Sequence, residues 1–171
     1  VDTVVSRDIN ATILIRAVLE NEGGVADVGD GKGVTRYGQT AGWLSQYGLE
    51  LPSSAADAAS NYRQWLNKTR LIVLCDAADA LALGVIDWAV HAGEKPAIKA
   101  LQRSLSLTPD GVIGPKTEDA IAHADRRLLA LKVVAARVRF NGRLITDAPQ
   151  KHARYAAGWS NRLAAQIEAL V

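Results

Sequence analysis

Residues 8–22, DINATILIRAVLENE, decide how this 171-residue chain is read. They contain neither glycine nor proline, Asp8 is placed to cap a first turn and Gly23-Gly24 to stop the last, so the stretch is expected to be a helix. At about 100° per residue, Thr12, Arg16 and Glu20 stack on one polar stripe, while Glu22 falls between the directions of Ile15 and Val18. Glu20 is then an ordinary solvated side chain. Glu22 is a carboxylate on an apolar face at the negative end of the helix dipole, and both circumstances favour the protonated form that a general acid in glycoside cleavage must hold. The plain alternative is a helix-end glutamate that simply reaches solvent.

The segment that follows, GGVADVGDGKGVTRYGQT at residues 23–40, is glycine-rich and alternates loosely around Val25, Val28 and Val34. It is expected to form a small hairpin or irregular sheet with tight turns at Asp30-Gly31 and Lys32-Gly33. It is not a phosphate loop, because neither G-x-x-x-x-G-K-[ST] nor a G-x-G-x-x-G opening a helix is present. Nor is it a calcium loop: counted from Asp27, the next two ligand positions are Gly29 and Gly31, and no glutamate closes the twelve-residue frame.

On these residues the chain resembles the phage-type lysozymes and, more closely, the N-acetylmuramidases of glycoside hydrolase family 108. That family carries Glu-Gly-Gly-Tyr followed by Asp-x-Gly-Gly-x-Thr-x-x-Gly. This chain has Glu22-Gly23-Gly24-Val25, then Asp30-Gly31-Lys32-Gly33-Val34-Thr35-Arg36-Tyr37-Gly38. Val25 stands in place of the aromatic, Lys32 in place of one glycine, and the loop from Glu22 to Asp30 is one residue short. The resemblance implies Glu22 as the acid, with Asp30 and Thr35 holding the attacking water and Asp27 as the other candidate for the second carboxylate. Tyr37 and Gln39 are expected as substrate contacts. Farther along, Ile86-Asp87-Trp88-Ala89-Val90-His91-Ala92-Gly93 is similar to the family's Phe-Asp-x-Ala-Val-Asn-x-Gly segment. Leu101-Gln102-Arg103-Ser104-Leu105 with Asp110-Gly111-Val112-Ile113-Gly114-Pro115-Lys116-Thr117 is similar to its peptidoglycan-binding signature.

The downstream residues can also be read directly. Asp79, Leu83, Asp87 and His91 recur at i, i+4 spacing through an apolar helix, so Asp87 and His91 can pair. One reading is a buried helix with a satisfied ion pair; the other places Asp87, Trp88 and His91 at a cleft, an aromatic plate and an imidazole against sugar. Pro96 and Pro115 suit first turns of helices, and the D-G-x-x-G-P-x-T run fixes a turn between helices before it does anything else.

The stretches 55–74, 77–91, 97–105, 116–124, 126–140 and 152–170 all accept helical periodicity. The expected fold is therefore mainly α with a small β-hairpin region at the active site, and the resemblance implies a lysozyme-like helical fold. On the same resemblance, residues 1–93 are expected to form a lysozyme-like catalytic region and residues 94–171 a helical peptidoglycan-binding region packed on it as one compact unit. Net charge is only +2, but Arg126, Arg127, Lys132, Arg137, Arg139, Arg143, Lys151, Arg154 and Arg162 concentrate basic character in the C-terminal third. A solvated helix face accounts for such a run, and contact with anionic outer-membrane or wall polymers is its functional use; nucleic-acid binding is not expected. Cys75 is the single cysteine and His123 and His152 lack ligands at metal spacing, so no disulfide, metal or cofactor is expected.

The function expected from the resemblance is an endolysin that cleaves the β-1,4 bond between N-acetylmuramic acid and N-acetylglucosamine in bacterial peptidoglycan, acting as a monomer without a stable protein partner. The alternatives are a non-catalytic wall-binding module and a virion-associated or secreted antibacterial lysozyme. The expected place of synthesis is the bacterial host cytoplasm and the place of action the periplasm or cell wall, with the export route open.

Overall fold

The computed structural model describes residues 3–22, 25–26 and 34–170, and the chain divides into two compact units, Val1–Ala78 and Asp79–Val171. The division falls before the DWAVHAG helix and not after it at residue 93, because that helix packs on C-terminal elements. The architecture is the mainly α, lysozyme-like one expected, with a small antiparallel sheet.

In the first unit, α1 (Thr3–Glu22) begins five residues before Asp8. Asp8 is not its cap, because its carboxylate is used sideways: Arg63 Nη1 lies 2.5 Å from Asp8 Oδ1, and Arg63 Nη2 donates to Thr12 Oγ1 at 2.6 Å. Ala11, Leu14, Ile15 and Val18 of α1 are buried, an i, i+3/i+4, i+7 stripe that packs on α3 (Ala55–Lys68) and on a 3₁₀ segment, Leu71–Asp76. Arg7 fixes the latter contact through Asp76 at 2.6 Å. Helix α3 starts at a capping box in which Ser54 accepts from the Asp57 amide and Asp57 accepts from the Ser54 amide. Its inner face, Ala58, Tyr62, Trp65 and Leu66, meets Trp43 from the short helix α2 (Ala41–Ser45), whose ring lies edge-on to Trp65 at 5.5 Å between centroids. Cys75 is fully buried.

The sheet of this unit has the order β1 (Val25–Ala26), β2 (Thr35–Arg36), β3 (Gln39–Thr40), with Thr35 opposite both Ala26 and Thr40. The β2–β3 turn is Tyr37-Gly38, with φ of 53° and 76°, the two left-handed residues of a two-residue hairpin loop. The turns expected at Asp30-Gly31 and Lys32-Gly33 lie outside the described residues.

In the second unit, α4 (Ala80–Ala92) packs on α5 (Glu94–Ser104) and α7 (Arg126–Asp147), and α7 packs on α9 (Ala156–Glu168). Asp79 caps α4 by accepting from the Ala82 amide at 3.0 Å and also grips Arg126 at the start of α7. Burial alone would raise the Asp79 carboxyl, but the Arg126 hydrogen bonds and charge outweigh it and hold it below the usual carboxylate range. Pro115 opens α6 (Pro115–Ala122), and Pro149 opens a short α8 (Pro149–His152) directly after α7 ends.

The D-G-x-x-G-P-x-T run is organised by one side chain, Gln102, which is 1% exposed. Its Nε2 donates to Asp110 Oδ1 at 2.7 Å and to the Val112 carbonyl at 2.9 Å, while its Oε1 accepts from the Gly111 amide at 2.9 Å. Gly111 itself has φ +86°. Gln102→Leu removes the donors and acceptor at once and leaves a buried Gly111 amide unsatisfied. It should destabilise the chain by roughly 2–4 kcal/mol in urea unfolding; a change under about 0.5 kcal/mol would show that the turn is held by other contacts.

Candidate active site

Glu22 is the last residue of α1 and is half-buried. Directly beside it runs the backbone of the Tyr37-Gly38 turn. A Cβ placed on Gly38 would stand 2.8 Å from Glu22 Cγ, 2.8 Å from Glu22 Oε2 and 2.8 Å from Tyr62 Oη, closer than any real side-chain carbon comes. Glycine is therefore required here twice over, by contact and by its positive φ. Tyr62, 1% exposed on the inner face of α3, holds the turn in place by donating from Oη to the Tyr37 carbonyl at 2.9 Å. Helix end, turn and α3 thus converge on one carboxylate. The sequence reading missed Gly38 and Tyr62. The available signal was a left-handed dipeptide slot between Thr35-Arg36 and Gln39-Thr40, but Asn-Gly and Asp-Gly are the usual occupants of such slots.

Among the other expected site residues of the first unit, Thr35 lies half-buried on the middle strand and Tyr37 half-buried in the turn. Gln39 has a different place from the one expected. It is 0% exposed; its Nε2 donates to the Ala58 carbonyl at 2.9 Å and its Oε1 accepts from Asn61 Nδ2 at 3.0 Å. Its amide ties β3 to α3 and has no atom turned towards a ligand, which a buried polar group with satisfied partners does not need. Asp30, the expected second carboxylate, and its alternative Asp27 lie outside the described residues.

The residues expected at a cleft in the second unit are mostly interior. Asp87 is 1% exposed; its Oδ2 accepts from Arg137 Nη1 at 2.6 Å and from Gln166 Nε2 at 3.2 Å, and its Oδ1 from Arg162 Nη1 at 2.7 Å. His91, the expected i, i+4 partner, is farther away, with Nδ1 at 4.0 Å from Asp87 Oδ1 and 3.2 Å from the Asp87 carbonyl oxygen. Burial pushes the Asp87 carboxyl up, but Arg137 first, then Arg162 and His91, pull it below the usual range. An ionised carboxylate with three donors and almost no surface is a structural centre, and it leaves Asp87 without access to a sugar. Trp88 is 2% exposed and packs on Phe140 at 5.5 Å between ring centroids, so it is a core aromatic and not an open plate. His91 is exposed in the last turn of α4.

Residues 96–164 match a family model described as "Predicted Peptidoglycan domain". Among solved structures, that of Brucella abortus SagA is similar, with a TM-score of 0.74 and 24% identity, covering 94% of this chain and 93% of that one. Among curated proteins, no match is found. The structural likeness concerns the fold; the matched span supports a peptidoglycan-related chain with peptidoglycan as its binding target.

Gly38→Ala should destabilise the first unit by roughly 1–3 kcal/mol, the cost of a left-handed non-glycine residue with no room for its Cβ. Thermal unfolding measures it, and an unchanged midpoint would mean that the turn does not press on Glu22. Asp87 carries a pH signature. Because its carboxyl is lowered in the folded chain, its contribution is complete above the unfolded value of about 3.9 and is lost as pH falls through the folded value. Asp87→Asn should cost roughly 3–5 kcal/mol at neutral pH by leaving Arg137 buried without its charge partner, and the gap to wild type should narrow below about pH 4. A gap that stays constant across that range would contradict the ionised network.

Proposed function

We propose that this chain is a peptidoglycan hydrolase that cleaves the β-1,4 bond between N-acetylmuramic acid and N-acetylglucosamine, with Glu22 as the general acid. The observation that carries the reading is the approach of the Gly38 backbone to the Glu22 carboxylate, supported from behind by Tyr62. A proton donor has to be held within hydrogen-bond reach of one glycosidic oxygen, and a side chain confined between a helix end and a rigid turn meets that condition better than one free in solvent. Peptidoglycan as the polymer is supported by the family match over residues 96–164 and by the sequence resemblance to muramidases.

In this mechanism Glu22 donates its proton to the leaving oxygen as the bond to the anomeric carbon breaks and positive charge develops on the sugar ring. Thr35, on the strand that leads into the turn, orients the water that takes the leaving group's place, together with a second carboxylate for which Asp30 is the candidate. Tyr37 offers its half-buried ring to the sugar alongside. In the proposed setting the protein is made in the bacterial host cytoplasm and acts in the periplasm or cell wall, as an endolysin does.

Loss of the acid is the test. Glu22→Gln keeps the size and hydrogen-bonding shape of the side chain but cannot deliver the proton. It should melt within a few degrees of wild type while clearing of purified sacculi falls on the order of 10²–10⁴-fold. A folded Glu22→Gln chain that clears sacculi at a substantial fraction of the wild-type rate would overturn the assignment.

A further inference from the structure

The second unit holds a groove of about 730 Å³ between α5 and α7 that the Glu22 chemistry does not use. Its walls carry five cations, Lys99 and Arg103 from α5 and Lys132, Arg139 and Arg143 from α7, and no acidic residue among the described residues lines it. The spacing is regular in both helices. Lys99 and Arg103 are one turn apart, and Lys132, Arg139 and Arg143 follow i, i+7, i+11, so the α7 row runs for about 16 Å along one face. Small side chains, Ala100, Ala135 and Ala136, make the space between the rows, and Trp88 and Phe140 add aromatic surface to the lining. The indole N–H of Trp88 is buried and meets no acceptor among the described residues. The wall is also preset: the Lys99 stem lies over Gly111, where an added Cβ would be 3.2 Å from Lys99 Cε.

Such a site fits a chain of carboxylates carried on short apolar units. The fork of an arginine suits a carboxylate, the methyl-lined walls suit small aliphatic groups, and five cations without an internal counter-charge favour several anions at once. The glycan strand of peptidoglycan is uncharged along its sugars; its negative charge sits on the stem peptides, which alternate alanine methyls with free carboxylates. All the lining residues except Trp88 fall inside the span that matches the peptidoglycan domain family. We propose that the α5–α7 groove binds the carboxylate-bearing stem peptide of peptidoglycan, an inference that rests on the peptidoglycan reading but not on Glu22 being catalytic.

The test is a calorimetric titration of the full-length Glu22→Gln chain, which removes turnover from the measurement. The probes are a synthetic stem tetrapeptide with free carboxylates, the same peptide with its carboxylates amidated, a peptide-free chitotetraose and a thymidine oligonucleotide. The free peptide should bind, and amidation should weaken it by about tenfold or more. Adding Arg139→Gln with Arg143→Gln should produce a similar loss, whereas adding Lys116→Gln with Lys151→Gln, which removes the same charge outside the groove, should not. Chitotetraose binding should be the same in both backgrounds. Each of these chains is checked by thermal unfolding, and if the arginine pair lowers the midpoint, Lys132→Gln replaces it. No binding of the free peptide at millimolar concentration, equal binding after amidation, or equal binding by the groove variant would overturn the proposal. So would tighter, groove-dependent binding of the oligonucleotide, which would make this a phosphate-polymer site. The two readings fail separately: a chain that binds the peptide in the groove but never cuts glycan sinks only the muramidase, and an active muramidase with an indifferent groove sinks only this inference.

Discussion

An ionised carboxylate cannot lie in a protein interior unless its charge is met there, and Asp87 imposes that condition on the whole C-terminal unit. Arg137 from α7 and Arg162 and Gln166 from α9 all turn inward to it, so three helices are fixed in rotation and not only in contact. The desolvation cost of such a centre is large, and it adds less to stability than an apolar core of the same volume would. What it adds is definition. With Arg137 committed to the interior, Lys132, Arg139 and Arg143 line the groove facing α5. One buried charge therefore orders the basic surface of the unit, and a run of cations that could have been a solvated face becomes two opposed rows.

The first unit is ordered by a different constraint, the lack of a side chain at Gly38. A hairpin turn could sit beside the end of α1 in many ways, but only a glycine with positive φ allows its backbone to run against the Glu22 carboxylate while Tyr62 bonds the preceding carbonyl. Gln39 and Asn61 brace the turn from the other side, through the Ala58 and Glu50 carbonyls. Two fully or nearly buried amides and one tyrosine are a considerable polar investment for a sheet whose strands are two residues long. Backbone and side chains braced beside a carboxylate are the arrangement that the general-acid role proposed for Glu22 would benefit from.

Much of this was legible in the sequence, and the parts that were not share a cause. The α1 core stripe, the helices opened by Pro115 and Arg126, and the structural character of the D-G-x-x-G-P-x-T turn follow from local spacing, where sequence neighbours are also spatial neighbours. The i, i+4 spacing displays the Asp87–His91 pair, present at 4.0 Å, but the side chains that hydrogen-bond the Asp87 carboxylate are 50, 75 and 79 residues away, where local spacing does not reach. Asp8 suits a cap by local spacing, whereas its partner Arg63 is 55 residues distant. Gln39 and Trp88 are expected at the substrate, but burial puts Gln39 between β3 and α3 and packs Trp88 on Phe140. Glu22 was identified from one side of a helical wheel, but what confines it, Gly38 and Tyr62, comes from a turn and a helix whose meeting no local pattern announces.

The central claim is that the carboxylate confined by this turn breaks a particular glycosidic bond. Mass spectrometry of borohydride-reduced fragments released from purified sacculi tests it most directly, because reduction labels the sugar at each newly formed reducing end. Muramitol at those ends, with the stem peptides intact, is the result the account predicts. Reduced glucosamine, anhydromuramic acid ends, or fragments freed only by cleavage in the peptides would contradict it.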